Sequence, residues 1–149
     1  MATANVKPNS DGTVQWDMDP TGLADHYTYL DEGTNLGGGS PDDSNFVRTM
    51  TNNEYEEYGF EDSPGDAGQI TQIDLHLRGQ VNDTLNAAYI RLELYHSGGT
   101  PVTGNPKDVS QADLGGHGVT GEVTKTWSGL SLTKTQFDSL VLVQTFKTS

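Results

Sequence analysis

Two stretches of strict alternation constrain the fold more than anything else in this chain. In "QITQIDLHLRGQV" (69–81), Ile73, Leu75, Leu77 and Val81 fall on one face, and Gln72, Asp74, His76, Arg78 and Gln80 on the other. In "AAYIRLELYH" (87–96), Ala88, Ile90, Leu92 and Leu94 alternate with Tyr89, Arg91, Glu93 and Tyr95. A period of two belongs to a β-strand with one buried and one wet face. The link "NDTLN" is short, so these two strands are expected to pair as an antiparallel hairpin. Gly79 takes a position where a core side chain is due, which marks it as a site for a bulge or close packing.

The end of the chain adds a third strong element. "SLVLVQTF" is apolar on both faces of its first half, as a central strand covered on both sides would be. Before it, Thr133 and Gln136 have the spacing of a capping box, which predicts a short helical turn over 134–139 with Phe137 on the core. Weaker strands are expected at 13–18, 27–31, 46–50, 55–60, 109–113 and 119–127. Hydrophobic residues make up only 32% of the chain and there are 18 glycines, so the core is thin and turns are many. Together these features predict an all-β fold: a two-sheet antiparallel β-sandwich, jelly-roll-like, of about eight or nine short strands. The expected division is an N-terminal arm over 1–12 and one sandwich domain over 13–149.

The charge is lopsided. Fourteen of the 21 acids lie in 1–66, against only Lys7 and Arg48, within an overall net charge of −13. Such a surface repels phosphate, so nucleic acid is not an expected partner. No apolar run approaches the ~18 residues of a membrane-spanning helix, and "MATANVKPNSDG" lacks the features of a secretory signal. With no cysteine there is neither a disulfide nor a thiolate metal site.

Catalytic signatures do not emerge. There is no nucleophile elbow and no phosphate-binding glycine loop, and His26, His76, His96 and His117 stand apart. "DMDPTGLADHYT" imitates the start of an EF-hand with Asp17, Asp19 and Asp25, but Thr28 stands where a bidentate glutamate is required. The plainer reading is a turn at "DPTG". A looser calcium site from loop carboxylates would draw on Asp17, Asp19, Asp25, Asp42 and Asp43. In "SPDDSNFVRT" the Asp42–Asp43 pair also suits a strand entry, its side chains satisfying backbone N–H groups. Phe46 is then expected inward, with Arg48 on the same strand face unless a bulge re-aims it; an inward Arg48 would need an acid such as Asp31 or Glu32 beside it. The outward row Tyr89, Arg91, Glu93 and Tyr95 is the remaining candidate, for a protein contact or a stacked sugar.

The order of segments carries a resemblance. "VKPNSDGTVQW", "HYTYLDEG", "PDDSNFVRT" and "YEEYGFED" are followed by "AGQITQIDLHLRGQ", "AYIRLELYHSGGT" and "LTKTQFDSLVLVQTF". This order resembles a β-sandwich module of tailed-bacteriophage structural proteins, over about 6–146. The chain departs from the module in the long Gly-rich stretch 104–121 and in a reduced tryptophan turn. The resemblance implies a non-enzymatic virion protein without a cofactor, calcium apart. A capsid decoration (cement) protein fits best, made in the host cytoplasm and carried on the capsid surface. Its implied partners are the major capsid protein and further copies of itself, as an oligomer, a trimer by expectation. Val6, Lys7 and Pro8 of the arm would be the capsid contact. A carbohydrate-binding or adhesion module of a phage tail or bacterial surface protein is the alternative.

Overall fold

A computed structural model describes residues 3–19, 46–84 and 87–148. Among these residues nine strands, a 3-10 turn and one short α-helix follow in order: β1 (Pro8–Val14), β2 (Asp17–Asp19), β3 (Phe46–Arg48), β4 (Tyr55–Phe60), β5 (Ile70–Gly79), β6 (Tyr89–Tyr95), β7 (Lys107–Ser110), the 3-10 turn (Ala112–Leu114), β8 (Gly121–Leu132), α1 (Lys134–Asp138) and β9 (Val141–Lys147). A five-stranded sheet runs β1-β4-β9-β6-β7 and packs against a long antiparallel ribbon of β5 and β8. A small ribbon of β2 and β3 stands beside them. The architecture is the all-β sandwich that the alternation predicts.

The alternation of β6 is reproduced residue for residue. Ala88, Ile90, Leu92 and Leu94 are buried, and the four residues between Ile90 and His96 or beside them (Tyr89, Arg91, Glu93, Tyr95) are half-exposed. The core is completed by Tyr58 of β4, Leu142 of β9, Val109 of β7, and Trp127, Leu130 and Leu132 of β8. Full burial of a leucine such as Leu92 contributes about 1.5–3 kcal/mol. β9 is central, as its apolar run predicts, and lies between β4 and β6. Its inner face, Leu142 and Gln144, is buried, while Val141 and Val143 on the outer face are only half-buried. Thr133 caps α1 with both bonds of the capping box present, and Phe137 packs on the core.

The expected hairpin does not form. β5 pairs with β8 over nearly its full length, and β6 pairs with β7 and β9. The short link between β5 and β6 crosses from one layer to the other. Val81 and Ala88 bury themselves at its two ends. The Asp83 carboxylate accepts the backbone N–H of Ala87 and Ala88, both at 2.8 Å, and the Asp83 N–H donates to Gln111 Oε1 at 3.0 Å. A carboxylate that satisfies two successive amides holds a sharp corner as well as a hairpin turn would.

The close approach suspected at Gly79 lies across the ribbon instead. A Cβ on Gly79 would meet nothing, but one on its partner Gly121 would drive into the Leu114 backbone. The irregularity of β5 sits between Ile70 and Gln72. The N-terminal boundary also differs from expectation. Pro8–Val14 is an edge strand on β4, so the expected arm over 1–12 ends inside the sheet. The strand expected at 13–18 is divided between β1 and β2, and the one at 109–113 gives way to a 3-10 turn at Ala112–Leu114. The strand expected at 27–31 lies outside the described residues.

Candidate binding face and buried polar anchors

The outer face of the five-stranded sheet is built from registered cross-strand rows. Tyr55, Thr145, Arg91 and Asp108 form one row across β4, β9, β6 and β7. Glu57, Val143 and Glu93 form the next, and Tyr95 with Val141 and Tyr89 with Lys147 extend it at either end. Arg91 grips Asp108 through two bonds, Nε to Oδ1 at 2.8 Å and Nη2 to Oδ2 at 2.9 Å. Its guanidinium carbon lies 5.5 Å from the Tyr89 ring centre, within cation–π range. The hydrogen bonds it donates to Asp108 push the Arg91 pKa further above its already high value. Partial burial and a hydrogen bond to Glu93 raise the Tyr95 hydroxyl above the usual tyrosine range. All four predicted residues of this row, Tyr89, Arg91, Glu93 and Tyr95, therefore share one face, with Tyr55 added from β4.

The outer face of the β5–β8 ribbon is of a different kind. Thr126 donates to Asp74 at 2.7 Å, His76 Nδ1 and Thr124 lie 2.9 Å apart, and Arg78 meets Glu122 at 3.2 Å. Each pair spans directly opposite positions, the ordinary way a solvated sheet surface is knitted.

Of the calcium candidates, Asp17 and Asp19 are the two among the described residues. Asp17 and Asp19 belong to β2, paired opposite Arg48 and Phe46, so the start of the EF-like stretch is extended strand rather than loop. Asp25, Asp42 and Asp43 lie outside the described residues. Among the described residues no group of three or more His, Asp or Glu side chains is placed to hold a metal ion. Arg48 is exposed rather than inward. Val6, Lys7 and Pro8 are half-buried along β4: the Lys7 N–H donates to Glu61 Oε2 at 3.2 Å, the Glu61 N–H donates to the Lys7 carbonyl at 2.8 Å, and Pro8 pairs with Phe60. No helix of the described residues is long and apolar enough to cross a membrane.

Three polar clusters, the first fully buried and the other two partly buried, escape a reading by pattern. The Glu56 side chain is fully buried, its Oε1 accepting the N–H of Gln15 at 2.6 Å and of Trp16 at 2.5 Å. Tyr58 donates to Glu56 Oε2 at 3.2 Å, and burial beside that carboxylate pushes the Tyr58 hydroxyl pKa far up. Asn105 Oδ1 accepts from Trp127 Nε1 at 2.8 Å and from the Leu94 N–H at 3.0 Å, while its Nδ2 donates to the Leu94 carbonyl at 2.6 Å. Lys134 Nζ reaches Asp138 at 2.5 Å and the Ser63 carbonyl at 2.6 Å, and Asp138 also accepts from the Ser63 N–H and hydroxyl. These bonds, led by Lys134, hold the Asp138 pKa down at about 2.

Comparison with protein-family models, curated proteins and solved structures finds no match to this chain. The likeness to the phage module thus rests on the order of segments alone.

Proposed function

We propose that this chain is a non-enzymatic structural protein of a virion, a capsid decoration protein that docks on the shell and on neighbouring copies through the outer face of its five-stranded sheet. The observation that carries the reading is the row of Tyr55, Tyr89, Arg91 and Tyr95 on one rigid, registered face, with Arg91 fixed by Asp108. Tyrosine and arginine are the residues most favoured at protein interfaces, because each combines apolar area with a polar tip. Pre-fixing the guanidinium reduces the ordering cost of binding. The segment order supplies the virion context.

Mass spectrometry of purified particles tests the reading. The chain should be present in capsomer-scale copy number, and its absence from particles would overturn the assignment. Arg91→Ala combined with Tyr95→Ala should lower binding to stripped shells at least about tenfold, the size of a modest interface hot spot, while leaving the melting temperature near that of the parent. A carbohydrate-binding role is the second reading, favoured by the same three half-exposed tyrosines. A glycan array with specific binding lost on Tyr89→Ala or Tyr95→Ala would decide for it.

A further inference from the structure

β1 is attached to the sandwich in an unusual way. None of its seven side chains is buried. Its register against β4 breaks twice, between Pro8 and Ser10 and between Asp11 and Val14. Carboxylates of β4 and the residue after it supply much of the missing ladder: Glu61 takes the Lys7 N–H, Glu57 the Thr13 N–H at 2.7 Å, and Glu56 those of Gln15 and Trp16. Immediately beyond β1 the chain is fixed, because Trp16 is buried in the core. The strand is thus held largely through its main-chain groups, with the half-buried Asp11 side chain near Tyr58 and a firm pivot at Gln15–Trp16.

We infer that β1 is an exchangeable strand, and that the β4 edge accepts the β1 of a second copy of this chain. Opening uncovers no core side chain of β1. A second copy restores the bonds beyond the pivot, since it brings the same amides to Glu57 and Glu61 while Gln15 and Trp16 stay on the Glu56 of their own chain. Exchange of an identical element is the least costly route to a two-fold dimer, each copy giving and receiving one strand. Two copies of charge −13 repel each other, so exchange is favoured where salt screens that repulsion. This inference stands on the β1–β4 geometry and is independent of the virion reading.

The absence of cysteine gives a clean probe. A Cβ built on Gly59 lies 3.8 Å from the Ser10 Cβ, the usual separation across a disulfide. The full-length Ser10→Cys/Gly59→Cys variant, as an equal mixture of isotopically light and heavy chains, is incubated concentrated in high salt, then oxidised and mapped by mass spectrometry. Exchange predicts light–heavy disulfides between the two introduced thiols, falling to intrachain links when the mixture is oxidised dilute. Only light–light and heavy–heavy intrachain links at every concentration would overturn it, and so would failure of the thiols to link at all. The unmodified chain gives a second check that needs no substitution: native mass spectrometry of a light and heavy mixture should show mixed dimers, and a purely monomeric spectrum refutes the inference.

Discussion

Asn105 does the work of a short piece of strand. Beyond the last β6–β7 pair, Leu92 with Lys107, its side-chain amide takes over the Leu94 backbone and at the same time accepts the Trp127 indole from the opposite layer. Asn105→Ala leaves the Leu94 N–H and the Trp127 Nε1–H without an acceptor. Two stranded donors at ~1–3 kcal/mol each predict a loss of about 3 kcal/mol, read as a lowered urea midpoint at unchanged slope. Asp138 gives a pH signature of definite sign. Its folded pKa of about 2 lies below the ordinary value of 3.8, so folding favours the carboxylate. That stabilisation is fully present above the ordinary value and is lost as pH falls through the folded one. The melting temperature of the parent should therefore fall more steeply between about pH 4 and pH 2 than that of Asp138→Asn. Little of this was legible beforehand. In "YEEYGF" the alternation places Glu56 inward beside Tyr58, and an inward carboxylate contradicts the rule that buried side chains are apolar. It is tolerated because the N–H groups of Gln15 and Trp16, some forty residues earlier, arrive to satisfy it, and no local pattern encodes that meeting.

Strands were easier to foresee than their partners. β4, β6, β9 and the capping box of α1 follow directly from periodicity and side-chain chemistry within ten residues. Pairing is a long-range property: β5 finds β8 some fifty residues away, because an Asp83 corner and two buried ends turn the chain between layers. Glycine shows the same divide. In the sequence Gly79 and Gly121 are equivalent, and in the ribbon they face each other, yet only Gly121 abuts the Leu114 backbone. Gly79→Ala should leave stability within about 0.5 kcal/mol of the parent or slightly raise it, since strand glycine carries an entropic penalty. Gly121→Ala forces the 3-10 turn at Ala112–Leu114 away from β8 and should cost about 1–3 kcal/mol, in the range of overpacked cores. Paired thermal melts of the two variants test the difference.

The chain folds into a sandwich and carries most of its acids in the first half of its sequence. Most of the acids lie before residue 67, and Glu54, Glu56, Glu57 and Glu61 are gathered on or beside the single strand β4. Like charge at this density opposes compaction, and counter-ions weaken that opposition. The melting temperature should rise on adding monovalent salt at neutral pH, and a scan showing no rise would mean that the acids are already compensated by their amide partners. Calcium chloride at matched ionic strength separates site binding from screening. An extra rise with calcium would assign an ion to acids beyond those described, Asp25, Asp42 and Asp43 among them, because the described side chains form no such group.

The position of β9 governs how the chain must be made. It is the last of the described strands to leave the ribosome, and it is the one that joins β4 to β6. Until it emerges, the five-stranded sheet exists only as two separate edges, β1–β4 and β6–β7, with Tyr58 and Leu92 lacking their common neighbour. The sandwich therefore closes after synthesis of its core is essentially complete. A nascent chain arrested before Val141 should be degraded by added protease, and release of seven further residues should confer resistance on the whole.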